Sequence, residues 1–472
     1  MEGISFGTDG WRGVIGWDFT AERVRACALG VASYLKSTDM ASRGLVLGYD
    51  TRFGSKDFAS EVAQVITSKG IPTFFSVSSV PTPVVSYSIL HLRAGGGVVI
   101  TASHNPPEWN GFKYKPDYAG SASPEIVKIL EEKISVALQS QISSKPLVEG
   151  RKEGLLIDID FAPPYITHLR KLVDIPSLQG SGLKMVVDTM YGSGIGYFPQ
   201  ILDGMCGINE IHAEENPLFP GISQPEPVAH NLKALSCTIL ETRADVGIAL
   251  DGDADRLGIV DEKGHYISTT QIFALLTLYC LEVREQRGPL VKSVTMSSMI
   301  DHLGKLFNVP VYETPVGFKY IGPTMMNNDA IAGGEESGGY SFKGHIPERD
   351  GILSGLYFLD MMVKTGKTPS ELVEYLFSIV GPHYYDRFDI PFHSDMRSDI
   401  LHRVSTQRPD TIGGSRVLER DEIDGVRFHL EGGSWGMIRF SGTEPLLRIY
   451  AEAGSLNDVR VVLEDLRSLV GI

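Results

Sequence analysis

Two short stretches of this 472-residue chain place reactive side chains where a turn can present them. In Thr101-Ala102-Ser103-His104-Asn105-Pro106-Pro107 a serine stands beside an imidazole, directly after the aliphatic run Gly97-Val98-Val99-Ile100. Such a run reads as a buried strand, and Asn-Pro-Pro can continue neither a ladder nor a helix. Ser103 is therefore expected on a tight turn at the strand's C-terminal end. Open α/β sheets bind ligands at that end, and a serine flanked by an imidazole and cations can carry a transferable group. In the second stretch a strand runs into Asp251-Gly252-Asp253-Ala254-Asp255-Arg256, which delivers three carboxylates at alternate positions. All-oxygen donors suit a hard cation, and three carboxylates with a position left open suit Mg²⁺ bridging to a phosphate. An EF-hand is excluded, because Arg256 stands where that loop's sharp turn requires Gly and the flanks read as strands.

Three further loops could bind rather than react. Gly7-Thr8-Asp9-Gly10-Trp11-Arg12-Gly13 presents one arginine on a glycine-rich turn. Gly333-Gly334-Glu335-Glu336-Ser337-Gly338-Gly339 sets carboxylates beside a hydroxyl, a pattern that can read the hydroxyls of a sugar. Arg439-Phe440-Ser441-Gly442-Thr443-Glu444-Pro445 combines a guanidinium, two hydroxyls and free amides, a cradle for an anion that is held rather than transferred. By contrast, Gly432-Gly433-Ser434-Trp435-Gly436 matches a hydrolase nucleophile elbow only in letters. A strand follows it, and no histidine occurs after His429, so it reads as a hairpin turn.

The elements that must position these loops alternate short β-branched runs with amphipathic stretches. Helices are expected at 21–37, 58–69, 125–139 and 162–173, and strands at 45–49, 184–188 and 294–296. Three rounds of strand, small-residue turn and helix suggest three related α/β units. After about residue 370 alternating strands at 427–431 and 437–440 mark an α+β domain. The Ser- and Lys-bearing stretch 141–151 reads as a linker, and the expected divisions are 1–150, 151–261, 262–372 and 373–472.

Composition bounds what such a chain can meet. Its 43 Lys+Arg against 58 Asp+Glu give a net charge of -15, which repels nucleic acid and anionic membrane; an anionic ligand needs local cations or a metal. Cys27, Cys206, Cys237 and Cys280 lie far apart, which disfavours zinc and a disulfide scaffold. With no basic, apolar leader and no apolar run long enough to span a bilayer, a soluble cytoplasmic protein is expected.

Taken together, Thr-Ala-Ser-His-Asn-Pro, Asp-Gly-Asp-Ala-Asp-Arg, Gly-Glu-Glu-Ser-Gly and Arg-Phe-Ser-Gly-Thr-Glu-Pro occur in the order and approximate spacing of a family. Over essentially its whole length the chain resembles the α-D-phosphohexomutases. The resemblance implies three related α/β domains plus a C-terminal α+β lid domain around a central cleft, as monomer or homodimer. It implies a phosphorylated Ser103, with Mg²⁺ held by a phosphate oxygen on Ser103 and by Asp251, Asp253 and Asp255. Arg12 and Lys113 would lie beside the transferring phosphate, Arg256 would orient the aspartates, and the acid/base role would fall to Lys113 or His104. Glu335 and Ser337 match the sugar-contacting loop; Arg439, Ser441, Gly442 and Thr443 match the distal phosphate loop.

Hexose preference rests on departures within the family. Mannose/glucose members resemble Gly-Glu-Met-Ser-Gly-His, and glucosamine members Gly-Glu-Gln-Ser-Gly-His. Here Glu336 is central, Gly339 replaces the histidine, and Phe318-Lys319 follows Val316-Gly317. These features look like the glucose-preferring phosphoglucomutases, with Lys319 as a substrate contact. The resemblance thus implies interconversion of glucose 1-phosphate and glucose 6-phosphate through glucose 1,6-bisphosphate, which also serves as activator. The alternatives are a phosphomannomutase or broad phosphohexomutase, a glucose 1,6-bisphosphate synthase, and a non-catalytic sugar-phosphate binding protein.

Overall fold

The structure, a computed structural model, describes residues 3–7, 9–204, 207–393, 396–441 and 446–471. Its first sheet has six strands in the order Trp11–Val14, Trp109–Pro116, Gly96–Ile100, Leu45–Tyr49, Thr73–Ser76, Leu156–Ile159. Every residue of Leu45–Tyr49 and Gly96–Ile100 is buried, as a parallel core covered on both faces requires. One face is closed by helices Ala21–Ser37 and Pro124–Ala137. They meet where Gly30 lacks a side chain, since a Cβ there would lie 2.4 Å from Ile134. The other face, with helix Thr82–Leu92, joins a continuous apolar core that also contains residues of the second and third units, among them Tyr165, Phe198, Ile248 and Tyr357. The three units are thus packed on one another.

The second sheet runs Tyr266–Ile267, Leu257–Val260, Val246–Leu250, Met185–Asp188, Ile208–Ile211, and the third Val311–Thr314, Leu290–Ser293, Ala332–Glu335, Gly339–Phe342. A common device emerges that no sequence repeat announces. In each unit a strand that pairs parallel on one side turns back into an antiparallel partner: Gly96–Ile100 into Trp109–Pro116, Val246–Leu250 into Leu257–Val260, Ala332–Glu335 into Gly339–Phe342. The three connections carry Ser103, the aspartates, and Glu336-Ser337. The fourth domain is an antiparallel six-stranded sheet backed by helices Arg397–Thr406 and Leu456–Val470, so the expected α+β character holds.

Several expectations are corrected. The strand expected at 294–296 is the turn after strand Leu290–Ser293. Lys292 hid that strand by breaking the apolar run, yet it is buried and paired with Asp301 at 2.6 Å. The divisions expected at 150 and 372 fall inside helices, and the one at 261 falls between two strands of one sheet. Residue 150 lies in helix Leu147–Lys152, after which Leu156–Ile159 still joins the first sheet. Sheet two takes Tyr266–Ile267 from beyond 261, and 372 lies in helix Pro369–Val380, whose Leu372 and Leu376 belong to the shared core. Ser- and Lys-rich composition reports exposure, and here it does not mark the end of a sheet. The Gly432-Gly433 segment is a hairpin turn with both glycines at φ 86, as expected. Among the described residues, Cys27 and Cys280 are buried free thiols and Cys237 is exposed; Cys206 lies outside them. No described helix is long and apolar enough to cross a membrane.

The first and second units pack tightly at Gly252, where an added Cβ would lie 2.5 Å from the carbonyl oxygen of Ser103. Overpacking at such a contact is expected to cost about 1–3 kcal/mol in Gly252→Ala, read as a lowered midpoint of denaturant unfolding. An unchanged midpoint would show that the two loops can part freely.

Candidate functional site

Strand Gly96–Ile100 ends as expected, and Ser103 follows it in the left-handed region at φ 52. Thr101 Oγ1 fixes this turn by accepting from Ser103 N–H at 2.8 Å. The Ser103 hydroxyl donates to Asp251 Oδ2 at 2.7 Å, and His104 Nδ1 lies 3.4 Å from the same hydroxyl oxygen. Ser103 is fully buried rather than part of an open surface loop. Its partner belongs to the second unit, which the sequence order conceals.

Asp251, Asp253 and Asp255 occupy the connection between Val246–Leu250 and Leu257–Val260, with Ala254 at φ 56 making the turn. Asp251 Oδ1 accepts the backbone N–H of Asp255 and of Arg256, at 3.0 and 3.1 Å. Thr82 Oγ1 donates to Asp253 Oδ2 at 2.5 Å. All three carboxylates are wholly buried, and one oxygen of each lies within 4.8 Å of the others. Asp253 Oδ1 and Asp255 Oδ1 have no hydrogen-bond partner. Buried, unpaired carboxylate oxygens converging on one point fit a hard divalent cation. Their titration carries the same strain: burial, then neighbouring Asp255 and Asp253, push Asp251 well up, and burial raises Asp255. Asp253 is held below the usual carboxylate range, burial being outweighed by Lys113.

Lys113 reaches Asp253 and Asp9 at 2.8 Å and Asp255 at 3.4 Å. Burial opposes its charge, but Asp253, Asp9 and Asp255 raise its pKa. The His104 imidazole is pushed well down by burial and by Arg256 and Arg12, and so is neutral near pH 7. Arg12 donates to Asn105 Oδ1 at 2.6 Å, and Arg256 to Glu226 at 3.0 Å.

Several residues of this cluster were missed by sequence reasoning. Arg349 joins all three units, bonding Asp9 at 2.8 Å, Asp255 at 2.7 Å and Glu335 at 2.8 Å. Its neighbour Glu348 takes Lys115 at 2.6 Å and Ser121 at 2.7 Å. Arg52 binds the backbone of the Ser103 loop. The available signals were three consecutive charges after a proline in Pro347-Glu348-Arg349-Asp350, and Asp50-Thr51-Arg52 directly after a buried strand.

A cleft of about 280 Å³ connects the remaining residues. Six arginines line it, Arg12, Arg256, Arg349, Arg387, Arg439 and Arg448, together with His104, Glu335, Ser337 and Ser441. Glu335 accepts from Ser337 at 2.7 Å, and both residues line the cleft. Arg439 is oriented by Asp424 at 2.9 Å. Glu336 pairs with Arg387 of the C-terminal domain at 2.8 Å. Lys319 is half-buried and donates to the carbonyl of Gly7, a residue of the cleft wall, at 3.4 Å. Gly442 and Thr443 lie outside the described residues. A cleft rich in guanidinium, inside a protein of net charge -15, is built for an anion with more than one charged group.

Comparison with known proteins agrees. Residues 3–140, 163–264 and 268–379 match the alpha/beta/alpha domains I, II and III of phosphoglucomutase/phosphomannomutase, and residues 401–468 its C-terminal domain. A Thermococcus kodakarensis phosphoglucomutase/phosphomannomutase is 31% identical over 465 residues, covering 98% of this chain and 97% of that protein. A Carboxydothermus hydrogenoformans phosphoglucosamine mutase is 31% identical over 484 residues, covering 99% of each. The crystal structure of a Thermus thermophilus protein, provisionally assigned as a phosphomannomutase, superposes with a TM-score of 0.86 at 32% identity over 99% of each chain. The chain belongs to the phosphoglucomutase/phosphomannomutase family, and is an α-D-phosphohexomutase.

Proposed function

We propose that this phosphohexomutase is a phosphoglucomutase, interconverting α-D-glucose 1-phosphate and glucose 6-phosphate through phosphorylated Ser103 and glucose 1,6-bisphosphate. The observation that carries the reading is the Ser103 hydroxyl lying 2.7 Å from Asp251, at the head of a cleft lined by six arginines. When bound by Asp251, Asp253, Asp255 and the Ser103 phosphate, Mg²⁺ supplies positive charge against the phosphoryl group. In the forward step the Ser103 Oγ–P bond breaks, a P–O bond forms to the free hydroxyl of the hexose monophosphate, and the proton of that hydroxyl is passed by the acid/base group to Ser103 Oγ. After the bisphosphate turns over, the other sugar O–P bond breaks and a P–O bond forms to Ser103 Oγ, whose proton goes to the released sugar oxygen; Asp251 Oδ2 at 2.7 Å and His104 Nδ1 at 3.4 Å lie beside that hydroxyl. Lys113, Arg12 and Arg256 offset the negative charge, so catalysis is chiefly positioning and charge stabilisation.

Glucose is favoured by Glu336 and Gly339 in the sugar loop and by Phe318-Lys319. Relatives named for glucosamine and for mannose favour a second reading on those sugars. Initial rates on glucose, mannose and glucosamine 1-phosphates, with Mg²⁺ and a trace of the matching bisphosphate, separate them. A clear glucose preference is expected; comparable rates would make the enzyme a broad phosphohexomutase.

Ser103→Ala removes the carrier, and turnover is expected to vanish while far-UV circular dichroism is retained. Intact mass should show one phosphate on the wild type and none on the variant. Normal turnover in Ser103→Ala would end the carrier mechanism, and a wild type that accepts no phosphate would favour a non-catalytic binding protein. Asp253→Asn removes one charge from the ion site while keeping its size, so the Mg²⁺ concentration for half-maximal rate should rise. An unaltered titration would mean that the carboxylates serve the fold alone.

A further inference from the structure

The loop that carries Ser103 is gripped by one buried guanidinium. Arg52 follows strand Leu45–Tyr49, and its side chain has no exposed surface. Its Nη2 donates to the carbonyls of Ser103 and Asn105, each at 2.6 Å, and its Nη1 to those of Pro106 at 2.8 Å and Trp109 at 3.2 Å. Nε faces Asp50 Oδ2 at 3.3 Å. Asp50 is itself held by Ser55 Oγ at 2.6 Å, and Ser55 by Asn110 at 2.9 Å. From the second unit, the Phe219 ring covers the guanidinium at 5.0 Å. Four of the fork's five N–H groups are thus directed at the backbone of one loop, while Nε makes an ion pair with Asp50 but no hydrogen bond.

That arrangement does what the loop cannot do for itself. A segment with two prolines and a left-handed serine cannot close its carbonyls in a ladder or helix, and buried carbonyls need donors. Gripping Ser103 O and Asn105 O together fixes the Ser103–His104 and Asn105–Pro106 peptide planes, which bracket His104 and Asn105. Those planes set where Ser103 Oγ points relative to Asp251 and where Asn105 meets Arg12. The Arg52 side chain has no exposed surface and all four of its hydrogen bonds go to backbone carbonyls, so it acts on the loop and not on a ligand in the cleft.

We propose that Arg52 is a positioning residue for phosphoryl transfer, holding the Ser103 loop through four carbonyls so that the serine oxygen stays aimed at the aspartate cluster. The inference rests on the reading of Ser103 as phosphoryl carrier. Lysine retains the charge but is a point donor without the planar fork, so Arg52→Lys separates geometry from charge. The test uses the full-length protein, with glucose 1-phosphate and glucose 1,6-bisphosphate. Three quantities are compared between the wild type, Arg52→Lys and Arg52→Gln: kcat, KM, and the rate at which Ser103 gains phosphate in quenched intact-mass time courses. In both variants kcat and the phosphorylation rate are expected to fall together, by roughly a hundredfold for a misplacement near one ångström. KM should stay within about twofold, because ground-state binding is untouched. Unchanged kcat in Arg52→Lys, or a raised KM with kcat preserved, would overturn the proposal. So would loss of far-UV circular dichroism in Arg52→Lys, since Arg52 would then be supporting the whole domain. A wild type that takes no phosphate on Ser103 removes the carrier reading and this inference with it; phosphorylation of the wild type with unimpaired variants removes only the inference.

Discussion

Four carboxylates, Asp9, Asp251, Asp253 and Asp255, sit out of water within one knot, and the rest of the molecule is arranged to make that tolerable. An uncompensated buried charge costs several kcal/mol, so each must meet a cation or a donor. Lys113 supplies a cation from the first unit and Arg349 one from the third. Because partners of opposite charge come from different units, the knot is also the joint between them. Asp9 of the first unit accepts from Arg349 of the third, which reaches Asp255 of the second. The oxygens that no donor satisfies, Asp253 Oδ1 and Asp255 Oδ1, are those an ion would use. A site assembled this way cannot form in any one unit folded alone.

Three hairpin connections converge on this knot because the three sheets share one plan, a parallel strand followed by an antiparallel return. Each connection lies at a strand's C-terminal end, where α/β sheets present ligand sites. The second unit contributes carboxylates there, the first a hydroxyl and an imidazole, the third the polar pair Glu335 and Ser337. The C-terminal domain closes the remaining side and is docked by polar contacts to the third unit. Arg427 pairs with Glu313 at 2.5 Å, and Asp424 accepts both Val316 N–H and Arg439 at 2.9 Å. Glu452 accepts from the Ser298 amide at 3.0 Å. Asp424 therefore ties a cleft arginine of the C-terminal domain to the third unit.

Local physical chemistry made much of this legible beforehand. Ser103 could be set on a turn because Asn-Pro-Pro admits no regular structure, and Asp251, Asp253 and Asp255 could be grouped because alternate residues after a strand fall into one loop. The residues missed were those whose meaning depends on a distant partner. Arg52 and Arg349 look like ordinary surface charges in sequence, and both are buried. Lys292 breaks the apolar run of strand Leu290–Ser293, yet it is an interior group paired with Asp301, a partner nine residues on.

The chain's own order and composition thus determined the α/β character, the turn that carries Ser103, the triad of carboxylates and the α+β nature of the last domain. Each of these follows from neighbours within a few residues, through strand alternation, turn chemistry and ligand type. Tertiary structure alone decided that Ser103 is covered and bonded to Asp251, that Arg349 joins three units, that Lys319 serves the wall at Gly7, and that sheet one continues to Ile159. These are contacts between residues tens to hundreds of positions apart. Their energy comes from burying charge in a shared interior, a quantity that no local pattern encodes.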